Sequence, residues 1–203
     1  MITGARSVKT LRIFSAVLAS AIIVMAMLVP GSANLAHADS FDLPRLMQLL
    51  AAAPEGAVPY TEKKYSSLLA APIVSSGTLS YRRPDTVEKI TLTPRKERFR
   101  ISGQELIVTR NGHEHRIALS SQPLLDAFAA SLRGVLAGDI SQLRAYYRIS
   151  LEGGEQSWRL TMIPGDEEMT RHVERILVSG RAGRVAQIEI RESSGDRSIM
   201  QVH

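Results

Sequence analysis

The spacing of apolar residues changes from helical to strand-like soon after residue 50. A helix is predicted over 42–53, where Asp42 supplies a cap and Pro54 a stop, because one face repeats at helical intervals through Leu43, Leu46, Met47 and Leu50. From there to Leu119 apolar and polar residues alternate, with turn residues recurring about every eight to twelve positions. This rhythm is typical of an antiparallel meander.

Alternation predicts about eleven strands in all. Gly103-Gln104 and Asn111-Gly112 mark tight hairpins between neighbouring strands. The strands are expected near 59–69, 74–83, 86–93, 97–102, 105–110, 113–120, 145–151, 157–163, 173–180, 184–191 and 196–202. Because strand twist accumulates, a sheet of this size curls into a partial or closed barrel, and the fold class is α+β, mainly antiparallel β.

A second helical stretch is predicted to interrupt the strands after Ser121 and Pro123, followed by a short polar helix over 139–144. The helical stretch after Pro123 has an apolar stripe that consists of Leu124, Leu125, Phe128, Leu132 and Val135. Together with the 42–53 helix, this stripe can cover the apolar face of a concave sheet. A gap between such a helical lid and the sheet is a natural site for an apolar ligand.

Residues 1–38 have the order of a secretory signal peptide, so the mature domain is expected to be 39–203. Three basic residues precede an apolar run over 13–29, and Ala36-His37-Ala38 provides small residues before a cut at Asp39. Gly31-Ser32-Ala33 is a second possible cleavage site, and an uncleaved membrane anchor is the alternative. The predicted location is the periplasm.

Composition removes several classes of function. The chain has no cysteine, which excludes disulfides, thiol catalysis and a lipid-attachment cysteine. The net charge is +5, and three of the positive charges lie in the signal peptide, so nucleic acid is not an expected partner. His113 and His115 share one side of a strand but have no third ligand at a recognisable spacing. No catalytic residue, metal or cofactor is predicted.

The segment Ser76-Gly-Thr-Leu-Ser-Tyr-Arg-Arg-Pro-Asp85 resembles the G-x-L-x-x-x-R-P motif of the periplasmic lipoprotein carriers, the LolA family. The resemblance extends loosely over 39–203 and is closer to a LolA-like branch at 72–89 and 195–200. It implies an unclosed (half) β-barrel with a helical lid over an apolar concave face that holds acyl chains. It also implies that Arg83 hydrogen-bonds to the lid as a latch; the alternative is that Arg83 only extends to the rim of the barrel.

The function predicted from these features is that of a monomeric carrier, not an enzyme, for an acylated lipoprotein or a (glyco)lipid. It would take this cargo from an inner-membrane donor complex to an outer-membrane acceptor. The alternatives are a lipid-sensing or scaffold module of an envelope pathway, and an envelope enzyme whose site has no local signature. The expected lipid-cavity lining is Leu79, Tyr81, Phe99, Ile101, Trp158 and Leu160 of the sheet with Leu125, Phe128 and Leu132 of the lid.

Overall fold

The computed structural model describes residues 41–122, 125, 126, 129 and 140–203. The predicted signal peptide, 1–38, lies outside the described residues, as do the predicted lid positions Phe128 and Leu132. None of the helices within the described ranges is long and apolar enough to cross a membrane.

Eleven antiparallel strands form a single sheet. They are β1 (Gly56–Tyr65), β2 (Ile73–Arg82), β3 (Thr86–Thr93), β4 (Glu97–Ser102), β5 (Glu105–Arg110), β6 (His113–Ala118), β7 (Tyr147–Gly154), β8 (Ser157–Pro164), β9 (Val173–Arg181), β10 (Arg184–Glu192) and β11 (Arg197–Val202). Their order across the sheet is β6-β5-β4-β3-β2-β1-β11-β10-β9-β8-β7. The sheet is therefore two meanders joined where the first strand of the described chain pairs with the last.

The strands β6 and β7 stand at the two ends of this order, so the sheet is unclosed. At its centre β1 and β11 are antiparallel, with Tyr60 opposite Val202 and Tyr65 opposite Arg197. The predicted fold class, a mainly antiparallel half-barrel of about eleven strands, is confirmed.

The helical segments with bounds in the described ranges are α1 (Leu43–Ala51), a 3-10 turn (Leu119–Ser121), α2 (Ile140–Tyr146) and α3 (Glu167–Thr170), and residues 125, 126 and 129 are also helical. The Asp42 carboxylate caps α1 by accepting from the Arg45 backbone N–H at 2.9 Å, as predicted. The short helix α3 forms because the Asp166 side chain caps it and Met169 is buried beneath it.

The core lies on the concave face of the sheet, where inward residues alternate along each strand. On β2 these are Gly77, Leu79 and Tyr81. Helix α1 adds Leu46, Met47 and Leu50 from one side, and these belong to one hydrophobic cluster with the apolar side chains of β2. The sheet and α1 thus share a single apolar interior.

Candidate functional site

The seven predicted lining residues that the structure describes are all buried. They lie on β2, β4 and β8 and just after the 3-10 turn, and are between 0% and 3% exposed: Leu79, Tyr81, Phe99, Ile101, Leu125, Trp158 and Leu160. All seven belong to the cluster that also contains the buried face of α1. The structure therefore brings them to one apolar face; that this face binds lipid remains a prediction.

Strand register explains how β8 contributes to this face. Trp158 stands opposite Gly180 of β9, and a side-chain carbon at Gly180 would lie 2.6 Å from the Trp158 ring. The indole N–H donates to the Ala182 carbonyl at 2.8 Å. Only a glycine leaves room for this indole, and its polar edge is satisfied at the turn that follows β9.

Helix α1 lies along one rim of the sheet, which we call the helix rim. Strand register places at this rim the turns that follow β2, β4, β7 and β9. A side-chain carbon at Gly183, in the turn after β9, would lie 2.6 Å from the Leu49 carbonyl oxygen, which shows how closely the helix approaches. Helix α1, which we call the cover of the apolar face, is therefore in contact with the sheet.

Arg83, in the turn after β2, joins the sheet to the end of α1. Its Nη2 donates to the carbonyl oxygens of Ala51 at 2.7 Å and Ala53 at 2.9 Å. These carbonyls lie where a helix leaves its acceptors unpaired and where a positive charge is favoured by the helix dipole. Arg83 thus holds the end of the cover from outside the core, and its side chain remains 42% exposed.

The groups around Arg83 fix its position. Glu55 accepts from the Arg83 backbone N–H at 3.1 Å and approaches Nη1 at 3.5 Å, while the guanidinium lies 5.8 Å from the centre of the Tyr81 ring. Burial raises the pKa of the Tyr81 phenol, and the charge of Arg83 opposes this rise. The arginine therefore contacts both the cover and a wall residue of the apolar face.

On β1, β3, β4 and β5 the half of the concave face away from α1 is polar, which the sequence analysis did not predict. Lys89 Nζ lies 2.7 Å from Glu62 Oε2, and the two side chains are only 3% and 11% exposed. Tyr60 and Thr91 share a 2.8 Å hydrogen bond beside this ion pair, and burial raises the pKa of the Tyr60 phenol. Period-two alternation in the sequence does place Glu62 and Lys89 on the inward face. That alternation could have indicated that charged residues lie inside the sheet.

Two further ion pairs continue this polar half along the rim away from α1. Lys64 Nζ lies 2.9 Å from Glu192 Oε1, and Arg110 Nε lies 3.1 Å from Glu97 Oε1. Along β1, β3 and β4 the apolar residues come nearer the helix rim and the charged ones farther from it, whereas on β8 and β9 the buried Met162 and Val173 keep the face apolar away from that rim. On β1, β3 and β4 an apolar ligand would therefore lie toward the helix rim.

No group of three or more side chains suited to a metal ion occurs in the described part of the chain. His113 and His115 stand on edge strand β6 and are exposed. His115 stands opposite Val108 of the hydrophobic cluster, so both histidines lie at the exposed edge of the concave face.

An unclosed antiparallel sheet with a helix held over an apolar concave face defines the class of LolA-like proteins. The chain belongs to the family described as outer membrane lipoprotein carrier protein LolA-like, which matches residues 35–201. Among curated proteins, none matches this sequence.

Several solved structures are similar to the chain at low identity. A LolA superfamily protein from Nitrosomonas europaea shares 12% identity at a TM-score of 0.43, over 78% of this chain and 90% of that one. Pseudomonas aeruginosa MucB, solved in complex with MucA, shares 13% at 0.44, over 79% of this chain but only 55% of its own length. Mycobacterium tuberculosis lipoprotein LppX shares 10% at 0.39, over 79% and 93%.

Proposed function

We propose that this protein is a periplasmic carrier that binds acyl chains of a lipoprotein or other lipidated cargo and moves them from the inner to the outer membrane. The observation that supports this most is the Arg83 contact to the end of α1, since a few hydrogen bonds join this helix to the sheet beside a buried apolar face. Membership of the LolA-like family supports the same assignment. The mature domain is 39–203, released by cleavage of the signal peptide.

The free energy of burying an acyl chain is large enough to replace that of burying the apolar side chains of α1. Three side chains of α1 are buried, Leu46, Met47 and Leu50, and each contributes about 1.5–3 kcal/mol to holding the helix in place. An acyl chain of about sixteen carbons gains on the order of 12 kcal/mol when it leaves water, at about 0.8 kcal/mol per methylene. One chain therefore offsets the displacement of the helix face.

Arg83 stabilises the closed position of α1 by an amount small enough to allow loading. A hydrogen bond from a charged donor contributes about 1.5–3 kcal/mol, and the partial exposure of this guanidinium places its bonds at or below the lower end of that range. The latch keeps the empty carrier closed and opens when acyl chains compete for the same face. A much stronger contact would prevent loading.

Transfer of lipid between two vesicle populations tests this function. Donor vesicles carry a fluorescent diacyl lipid with a quencher, and acceptor vesicles carry neither. A carrier accelerates the rise in fluorescence in proportion to protein concentration. Protein that binds the lipid without accelerating its transfer would instead support the lipid-sensing alternative, and protein that does neither contradicts both.

A further inference from the structure

The exposed large hydrophobic side chains of the described residues all lie in one region. Their exposed fractions range from 45% to 91%, and they are Leu68, Leu69, Ile73, Val74 and Leu92. Soluble proteins rarely expose such a group without a role in binding. We call this group, with the connection 66–72 that carries part of it, the apolar tip.

The apolar tip lies at the rim of the sheet opposite α1. Strand β1 runs from Gly56 at the helix rim to Tyr65, and the connection to β2 follows there. Val74 pairs with Lys63, while Leu92 is the extra residue of the bulge in β3 opposite Ser76 and Gly77. The apolar tip is therefore separated from the helix rim by the length of the strands.

The tip has a local structure that presents its leucines outward. The Leu69 N–H donates to the Ser66 carbonyl at 3.1 Å, and the Ser66 hydroxyl accepts from the Leu68 N–H at 3.4 Å. Residues 67–74 are all exposed, and the sequence from Tyr65 to Tyr81 contains no charged residue. Leu68 thus stands at the end of an uncharged projection.

Cations surround the base of this projection. Lys63 and, in the neighbouring turn after β3, Arg95 and Lys96 are exposed, and Arg197 stacks on the Tyr65 ring at 4.6 Å on the other side. The nearby carboxylates of Glu62, Glu97 and Glu192 are paired with cations of the concave face, which leaves half-buried Asp196 as the acidic group of the adjacent turn.

We propose that the apolar tip docks on the surface of a bilayer that contains anionic phospholipid. The leucines would enter the boundary between headgroups and acyl chains, and the surrounding cations would contact lipid phosphates. Each lysine or arginine near such a surface contributes about 1 kcal/mol. This charge pattern favours an anionic membrane over an apolar groove of a protein. The proposal does not depend on any cargo in the concave face.

Flotation with vesicles tests the proposal, using protein purified from the periplasm with its N-terminal mass determined. Wild-type protein should float with vesicles of phosphatidylglycerol and phosphatidylcholine and much less with phosphatidylcholine alone. Leu68→Ser/Leu69→Ser should weaken partitioning on the order of tenfold or more, since two exposed leucines lose their insertion energy. Arg95→Ser/Lys96→Ser should weaken it about tenfold or more on anionic vesicles.

The matched control is Arg159→Ser/Arg184→Ser, which removes two exposed cations away from the tip and should leave partitioning within about twofold of wild type. The proposal is wrong if the leucine variant floats as wild type does, or if wild type does not float; the second result would direct attention to a protein partner. The leucine variant should still bind acyl chains, so failure of docking and failure of the carrier function are separable.

Discussion

Lys89 and Glu62 place two opposite charges on the concave face, next to the apolar core. With side-chain exposures of 3% and 11%, neither charge can be solvated if the other is removed. Removing one partner of such a pair typically costs about 3–5 kcal/mol, whereas replacing both by apolar residues is far less harmful. The pair therefore makes the polar half of the face sensitive to single substitutions.

We expect Lys89→Met to lower the free energy of unfolding by about 3 kcal/mol, and Lys89→Met/Glu62→Met to recover most of that loss. Urea denaturation of the wild type and the variants, including Glu62→Met, measures the coupling. The control is Arg116→Met, which breaks ion pairs of a 58% exposed side chain and should change stability by less than about 1 kcal/mol. Additive effects of the two core substitutions would contradict a buried pair.

Tyr60 gives this half of the face a dependence on alkaline pH. Burial raises the pKa of its phenol in the folded state above the usual value of about 10. The stabilisation from a raised pKa is complete below the unfolded value and is lost as pH rises through the folded one. Above about pH 10, unfolding thus becomes more favourable by up to about 1.4 kcal/mol per pH unit.

We expect Tyr60→Phe to reduce this alkaline loss of stability, measured as urea unfolding free energies between pH 8 and pH 11.5. The variant also loses the hydrogen bond to Thr91, so Thr91→Val is the control. It removes the same bond but keeps the phenol, and should remain at least as sensitive to alkali as the wild type. Parallel pH curves for the wild type and Tyr60→Phe would contradict the assignment.

Among the strands, the pairing of β2 with β3 depends on a close approach at Gly77. A side-chain carbon there would overlap the Ile90 carbonyl oxygen, beside the bulge in β3. We expect Gly77→Ala to destabilise the fold by about 1–3 kcal/mol, measured by thermal or urea unfolding. Gly56→Ala is the matched control because open space surrounds Gly56 in the neighbouring strand. Equal stability of the two variants would contradict this prediction, because it would mean that β3 shifts away from the added carbon at little cost.

The contact between α1 and the sheet gives the prediction most directly tied to function. Arg83→Leu removes the bonds to the Ala51 and Ala53 carbonyls, so amide exchange over 43–53 should accelerate and vesicle-to-vesicle lipid transfer should change at least severalfold while the fold stays intact. Arg82→Leu alters an exposed neighbour and should leave both measurements near wild type. Transfer by Arg83→Leu at the wild-type rate would contradict the latch.

Local alternation was sufficient to predict the strands, because most of them have one face in the core; the edge strand β6 has no buried residue. Of the eleven, β1 differs most: it was expected at 59–69 and spans Gly56–Tyr65. Its pairing begins with Gly56 opposite Tyr81 directly after the helix and ends with Lys64 opposite Ile73. The remaining apolar residues, Leu68 and Leu69, resemble a strand end in sequence but lie in the exposed connection.

The buried ion pair shows what local pattern cannot predict. Alternation places Lys89 inward on β3 and Glu62 inward on β1. The two strands are not neighbours, because β2 lies between them, and the register of each with β2 decides whether the two side chains meet. The pairing of β1 with β11 is likewise set by contacts between distant parts of the chain. Alternation along the strands was enough to predict which strand residues are buried, and helical spacing did the same for Leu125. The partners of the charged residues could be identified only in the assembled sheet.

At the scale of the whole molecule, the sheet has two different rims. One carries α1 and the Arg83 contact beside an apolar concave face, and the other carries the apolar tip with its cations. In the proposed carrier the first rim opens to cargo and the second contacts a membrane. The polar half of the face lies between them.

Native mass spectrometry of the protein purified from its own periplasm, followed by lipid extraction, tests the central claim most directly. The account predicts a population heavier than the polypeptide by the mass of an acylated cargo, with about one cargo molecule per protein recovered in the extract. Polypeptide mass alone, with no acyl material extracted and no uptake of added lipid, would contradict binding of acyl chains by this concave face.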